Sequence, residues 1–398
     1  MHIVVVGGGF GGVKAALELS KEPSNRITLI SDRDDFQFYP ALYSTATGKS
    51  HLQSWVPLGQ IFAEIGNVQV KLDTITSIDP DKQTVTGNWG ETYDYDKVIL
   101  ALGSVTTFFG IEGLDKFAYG IKSEDEIKRL KRHLYNDIAR DHKLDKHYVI
   151  VGAGPTGVEL AGALGTYIER LRDHYGLKKH KLQVDLIEAA PRVLPRMSET
   201  SSRRVQKRLE KLGVKVEVGR KVQREDKDAL LVDGQPIQSQ TVIWTSGVAN
   251  NPFFKANEKH FNLAPNGRVI VDDHMRASDH VYVIGDNAIT KYGGLAQTAL
   301  HDAKYVADDI MRRHFHYHTK KYRAVQPMSV IPVGENWAVY EWHGIKLKGL
   351  VASWIRSAAD GMGYHDVLPL GQALGVWRSQ KITEDDYFAP ETEADRIA

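Results

Sequence analysis

Met1-His-Ile-Val-Val-Val-Gly-Gly-Gly-Phe-Gly-Gly12 opens the chain, and its reading decides the fold. Ile3 to Val6 is an unbroken apolar run, short enough for a strand buried on both faces of a parallel sheet. It breaks into Gly7-x-Gly9-x-x-Gly12, after which Val13-Lys-Ala-Ala-Leu-Glu-Leu19 reads as a helix. Strand, glycine turn and helix N-terminus together make an anion site. Gly7 allows the tight turn, Gly9 lets the backbone approach a pyrophosphate, and Gly12 lets helix and strand pack closely. An ordinary glycine-rich turn is the plainer alternative, but the strand before and the helix after favour a dinucleotide cradle.

The same pattern returns further along. His147-Tyr-Val-Ile-Val151 is a second buried strand, followed by Gly152-Ala-Gly154-Pro-Thr-Gly157 and the helical run Val158-Glu-Leu-Ala-Gly-Ala-Leu164. Two complete fingerprints predict an α/β protein with two Rossmann-like three-layer domains, each holding one dinucleotide. The strand after the first fingerprint is Arg26-Ile-Thr-Leu-Ile30. Asp32 follows about 20 residues beyond the glycines, placed to hold a ribose 2′-hydroxyl, although Ser31 competes for the strand-end slot. The strand after the second fingerprint, Lys181 to Ile187, ends at Glu188. Its carboxylate repels a 2′-phosphate and so favours NADH, with Arg192 nearby keeping NADPH open.

Composition narrows the function. The chain has 398 residues, enough for two or three domains with real cores. Lys plus Arg is 51 against 50 for Asp plus Glu, so no basic excess points to nucleic acid. No stretch approaches the roughly 20 apolar residues that span a bilayer. No signal peptide precedes the first strand, so the cytosolic side of a cell is expected. There is no cysteine, which removes disulfides, thiolate metal sites and thiol catalysis.

Other segments carry weaker signals. Phe36 to Gly48 reads as an aromatic loop broken by Pro40 and Gly48, able to cover a flat ring. Lys97-Val-Ile-Leu-Ala101 is a buried strand ending in Leu102-Gly-Ser104. Ser123-Glu-Asp-Glu126 is a capping box opening a helix with Ile127, Leu130, Leu134 and Ile138 on one face. Ser198 to Leu212 is an amphipathic helix, and Trp244-Thr-Ser-Gly247 ends another strand. Val281-Tyr-Val-Ile-Gly-Asp286 is a buried strand whose Gly285 permits close approach and whose Asp286 accepts from a hydroxylated chain. Leu295-Ala-Gln-Thr-Ala-Leu300 opens a helix whose N-terminus would stabilise the charge of a reduced flavin. Beyond residue 321 Trp337, Trp342, Trp354 and Trp377 interleave with Lys346, Lys348, Arg356 and Arg378. This fits a membrane interface or a dimer contact, and Asp360 argues against a deeply inserted helix.

The order of these motifs resembles the two-dinucleotide-binding-domain flavoproteins along the whole chain. Within them it looks most like the type II NADH:quinone oxidoreductases. Phe38-Tyr-Pro-Ala-Leu-Tyr43 with Ala46-Thr-Gly48 resembles their flavin-side loop, Gly157-Val-Glu159 their second fingerprint, and Ala296-Gln-Thr-Ala-Leu-His301 their AQxAxQ quinone signature. Ala338-Val-Tyr-Glu to Lys346-Leu-Lys-Gly349 resembles the run before their membrane-anchoring helices. The resemblance implies that the second domain is inserted in the first, with a small C-terminal α+β or helical domain behind them. It gives FAD to residues 1–110 and 250–320, NAD(P)H to 111–249, and a membrane-interface or dimerisation role to 321–398. FAD contacts fall to Gly7, Gly9, Gly12, Asp32, Pro40, Tyr43, Thr47, Gly103, Gly285, Asp286, Ala296 and Gln297. NADH contacts fall to Gly152, Gly154, Gly157, Glu159, Glu188 and Gly247. Glu159, Gln297 and His301 stand on the side where hydride and quinone chemistry meet, and no metal is required.

Two departures from the family pattern stand out. His301 replaces the second glutamine of the quinone signature, and an imidazole can donate, accept and titrate near neutrality. The C-terminal helices carry Arg356, Asp360 and Asp366, which makes them less apolar. The absence of cysteine excludes disulfide reductases, sulfide:quinone oxidoreductases and thiol-dependent peroxidases. What the resemblance implies is then a non-pumping NADH:quinone oxidoreductase, using menaquinone or ubiquinone and peripheral on the cytoplasmic face of the membrane as a homodimer. The rivals are a soluble NADH oxidase or diaphorase, and a flavin- and NADH-binding redox sensor.

Overall fold

The computed structural model describes residues 1–145, 147–177 and 182–384. The first sheet has six strands in the order Arg276–Ser278, Val281–Val283, Lys97–Leu100, His2–Val6, Arg26–Ser31 and Val68–Leu72. Only the edge pair of Arg276–Ser278 and Val281–Val283 is antiparallel; the other pairings are parallel. Ile3 to Val6 sits at the centre of this sheet with its side chains buried, so a continuous apolar run is what both faces need. The helix Phe10–Leu19 follows the first strand and packs on the helix Ala296–His314. The chain's beginning and the 276–314 region thus build one layered body.

The second sheet is parallel throughout, in the order Val214–Val218, Val184–Glu188, Tyr148–Val151 and Thr241–Trp244. Its cradle helix spans Pro155–His174, with proline in the first turn, where a missing N–H costs nothing. The chain passes between the two bodies on an antiparallel ribbon that pairs Ser104–Thr106 with Val248–Asn250. Local signals set the helix starts. Ser123 and Glu126 form the capping box of Glu124–Tyr135, and Ser198 caps Glu199–Lys211.

The aromatic stretch after the second strand is more ordered than a loop. It forms a short strand Asp35–Gln37, a 3-10 turn Tyr39–Ala41 and a helical turn Leu42–Ala46. Pro40 sits in the first turn, where it helps start rather than break the helix. Beyond residue 328 an antiparallel sheet of Ser329–Pro332, Ala338–Trp342 and Ile345–Gly349 leads into the helices Leu350–His365 and Leu370–Ser379. Tyr364 of the first of these stacks on Phe38 at 4.0 Å between ring centroids and donates to the Gln53 carbonyl at 2.7 Å. The C-terminal unit is therefore docked on the aromatic stretch.

Candidate active site

The two glycine cradles are built alike. Gly7 has φ +116°, and a Cβ there would lie 2.2 Å from the Ala101 carbonyl oxygen. A Cβ on Gly12 would lie 1.8 Å from the Gly7 oxygen, and one on Gly157 1.8 Å from the Gly152 oxygen. These four glycines hold the turns shut. Gly9 and Gly154 are different: each begins its helix with no side-chain cap, and a Cβ on either would meet nothing within 4 Å. Open space beside an uncapped helix N-terminus is where a pyrophosphate fits.

The carboxylate slots differ. Gly7 N–H donates to the Ile30 carbonyl and Gly152 N–H to that of Ile187, so Ser31 and Glu188 occupy equivalent places. Glu188 accepts from the N–H groups of Ala153 and Ala190, both at 2.7 Å, and so lies inside its cradle. Ser31 is buried in the first slot, and Asp32 lies one residue past the strand end. Its side chain is 58% exposed and contacts Arg33 at 3.4 Å. Arg192 is tied into its own turn, donating to the Met197 and Pro195 carbonyls and to Ser202 Oγ. It is not extended toward a 2′-phosphate.

Around the first cradle, Gly103 N–H donates to Asn287 Oδ1 at 2.9 Å, and Asn287 Nδ2 donates to the Gly103 oxygen at 2.7 Å. Asn287 also bonds Asn250, fastening the ribbon to the strand end. Ser104 Oγ donates to Asp286 at 2.7 Å, while Lys122 Nζ donates to the Ser104 oxygen at 2.6 Å. Burial pulls the Lys122 ammonium down to about 8. Gly285 N–H donates to the buried Asp302, which also accepts from Tyr322. Ala296 begins its helix without a side-chain cap. Beside the second cradle, Gly247 has φ +87° and lies under the Phe109 ring.

A buried cluster lies where three parts of the chain meet. Arg356 Nη1 donates to Glu159 at 2.7 Å, and its Nε reaches both oxygens of Asp360 at 2.9 and 3.1 Å. It also donates to the carbonyls of Pro40 at 2.8 Å and Val330 at 3.1 Å. Tyr43 lies beside the same three side chains, and burial raises its phenol. Burial pushes the Glu159 carboxyl up to about 7 against the opposing pull of Arg356. Thr47 continues the contact: its carbonyl accepts from Arg170 on the second cradle helix, and its hydroxyl donates to the Tyr43 oxygen.

Gln297 exchanges two bonds with the Met328 backbone, at 3.1 and 3.2 Å, and His301 Nε2 donates to the Arg323 carbonyl at 2.9 Å. Both side chains hold the 323–328 segment against the helix, and Val330, two residues beyond Met328, accepts from Arg356. Arg356 and Asp360, absent from the sequence-based site, are the centre of the buried cluster, and Lys122 and Asn287 were also missed. Their signal lay in an inverted pattern. Leu350, Trp354 and Met362 form an exposed apolar stripe, while Arg356 and Asp360, four apart, turn inward. Asp366, half-buried at the end of the Leu350–His365 helix, pairs with Lys14 and Lys304. Arg356 and Asp360, two of the three charges that made these helices look poorly apolar, are thus spent inside the protein.

The pyridine nucleotide-disulphide oxidoreductase family model matches residues 1–303. A type II NADH:quinone oxidoreductase of Mycobacterium tuberculosis is 35% identical over 336 residues, covering 78% of this chain and 72% of that protein. The chain belongs to the type II NADH:quinone oxidoreductases. Another named member, from Staphylococcus aureus, is 27% identical over 394 residues, 94% of this chain and 97% of that one, so the C-terminal unit is shared as well. The structure of NDH2 from Plasmodium falciparum in complex with NADH superposes with a TM-score of 0.83, covering 98% of this chain and 99% of that one at 19% identity. As a member without a single cysteine, this chain lacks the thiols that give the broader family its disulphide name.

Proposed function

We propose that this chain oxidises NADH and reduces a quinone, without pumping protons, and that Glu159 handles the proton the quinone takes up. FAD fits the first cradle: Gly9 leaves open space at an uncapped helix start, and Asp286 with Gly103 and Gly285 lies at the neighbouring strand ends. Bound FAD supplies a two-electron relay between a hydride donor and a quinone. NADH fits the second cradle, where Glu188 is turned toward the backbone N–H groups and Arg192 is occupied. The proposed division is FAD on 1–110 and 250–320, NADH on 111–249, and acceptor and membrane contacts on 321–398.

The observation that carries the reading is the Glu159–Arg356–Asp360 cluster. It joins the second cradle helix, the aromatic stretch at Pro40 and Tyr43, and the C-terminal helix in one buried group of protonatable side chains. A quinone needs protons where water is scarce, and a carboxyl that titrates near neutrality supplies them. Gln297 and His301 shape the acceptor side through the 323–328 segment.

Among the described residues no helix is long and apolar enough to cross a membrane. The exposed Leu350, Val351, Trp354, Met362, Leu370 and Leu374 support peripheral attachment, with Lys346 and Lys348 close by in sequence to meet anionic headgroups. The reading includes a homodimer, as the family resemblance implies, which sedimentation equilibrium tests. Steady-state NADH oxidation with a menaquinone analogue, a ubiquinone analogue or oxygen, with and without liposomes, tests the function. Quinone-dependent turnover well above the oxygen rate is expected. Equal rates with oxygen alone would point to a soluble oxidase instead.

A further inference from the structure

Arg356 is one cation between two buried acids. Its Nε is given to both oxygens of Asp360, and a single Nη1 bond goes to Glu159. Among the described residues, every other group turned on this cluster is neutral. These are Tyr43 from the aromatic stretch, Tyr364 from the same helix as Arg356, the Pro40 and Val330 carbonyls, and Gln380, whose amide bonds Asp360. One positive charge balances one carboxylate, and a second ionised acid at this depth would be uncompensated. Asp360 accepts from the Arg356 Nε–H and from the Gln380 amide, whereas Glu159 accepts from one guanidinium N–H alone, and the extra donor gives that balance to Asp360.

We infer that Asp360 is a positioning residue for quinone reduction: by holding the Arg356 guanidinium, it leaves the Glu159 carboxyl protonated and ready to donate. The inference rests on the proposed role of Glu159. Reduction of a quinone to a quinol takes two electrons and two protons. The electron pair and one proton begin as the hydride of NADH. The second proton leaves the Glu159 carboxyl, which recovers it from solvent. Burial raises the Asp360 carboxyl too, the guanidinium and the Gln380 amide act against that rise, and Asp360 touches neither reactant.

The test is Asp360→Asn in the FAD-loaded protein, with Asp360→Glu beside it. In the wild type, quinone reduction falls as pH rises through the titration of Glu159. In Asp360→Asn the guanidinium belongs to Glu159 alone, which moves this alkaline limb down by about one pH unit, a roughly tenfold loss on its far side. Asp360→Glu keeps the limb in place. Isotope-edited infrared titration, read by subtracting Glu159→Gln, gives the same answer without turnover: the protonated-carboxyl band disappears at lower pH in Asp360→Asn. Flavin reduction by NADH in each variant reports folding and cofactor loading. If Asp360→Asn does not fold, Gln380→Leu, which removes the amide bonded to Asp360, shifts the limb the same way by less. A limb and band that stay put in both variants overturn the inference alone. Quinone reduction by Glu159→Gln with the wild-type pH profile overturns the reading of Glu159 and the inference with it.

Discussion

Gly9 and Gly12 occupy one turn, yet the structure gives them separate jobs that substitution can pull apart. A methyl on Gly12 would sit 1.8 Å from the Gly7 oxygen, against backbone, so the helix or the strand must move by more than an ångström. Overpacking of that kind costs about 1–3 kcal/mol or more. A methyl on Gly9 meets nothing within 4 Å, and φ is −87°, open to any residue. Losing glycine at the helix start costs roughly 0.5–1 kcal/mol, and the stiffer unfolded chain returns about as much. Gly9→Ala should therefore melt within a few degrees of wild type once both are stripped of flavin. It should release FAD at least about tenfold more readily, because the methyl fills the pyrophosphate's approach, a difference of about 1.4 kcal/mol. Gly154→Ala is the matching change in the second cradle. It should keep FAD and raise the KM for NADH by a similar factor. Bound-flavin absorbance after dialysis, melting of the apoprotein and stopped-flow NADH titration read all three quantities. A Gly9→Ala protein that keeps FAD as well as wild type, or a Gly154→Ala protein that loses it, would refute the assignment of the cradles.

Arg356→Met leaves two buried acids without their cation, so the melting temperature drops; breaking such a pair costs about 3–5 kcal/mol. The alkaline limb of quinone reduction moves up in pH, opposite in sign to Asp360→Asn. Glu225 lies buried in the 222–238 meander, where burial pushes its carboxyl up to about 8 and its Oε2 lacks a hydrogen-bond partner among the described residues. A carboxyl raised on folding stabilises fully below its unfolded value and loses that contribution as pH rises through the folded one. Melting temperature should thus fall between about pH 4.5 and 8, and Glu225→Gln should flatten that slope in scanning fluorimetry. Trp354→Asp with Leu370→Asp removes two exposed apolar side chains, each worth about 1.5–3 kcal/mol on burial. Co-sedimentation with anionic vesicles should weaken at least about tenfold, while turnover with a water-soluble quinone persists.

The parts legible in the sequence are those set by local constraints. Each cradle is fixed within a few residues, because Gly12 must clear Gly7 and Gly157 must clear Gly152. The central strands read correctly because double-sided burial demands unbroken apolar runs. Ser31 against Asp32 was decided by one residue of strand length, which only the pairing of Ile30 with Val6 fixes. The helical turn at Leu42–Ala46 was hidden because Pro40 reads as a breaker when its place in a first turn is unknown. Arg356 and Asp360 were misread for a different reason. Charges on a helix ordinarily face water, and only the docking of Leu350–His365 against Glu159 and Pro40 reverses that. Gln297 and His301 matched a signature, but their partners, Met328 and Arg323, lie on a segment without regular structure whose course no periodicity reveals.

The central claim is that one chain carries electrons from NADH to a quinone through a flavin. Anaerobic stopped-flow absorbance of the purified holoprotein tests it most directly. Excess-free NADH should bleach the flavin within the turnover time, and a menaquinone or ubiquinone analogue added afterwards should restore the oxidised spectrum at a rate at least equal to turnover. Bleaching followed by no recovery with any quinone, but recovery on admitting oxygen, would contradict the account.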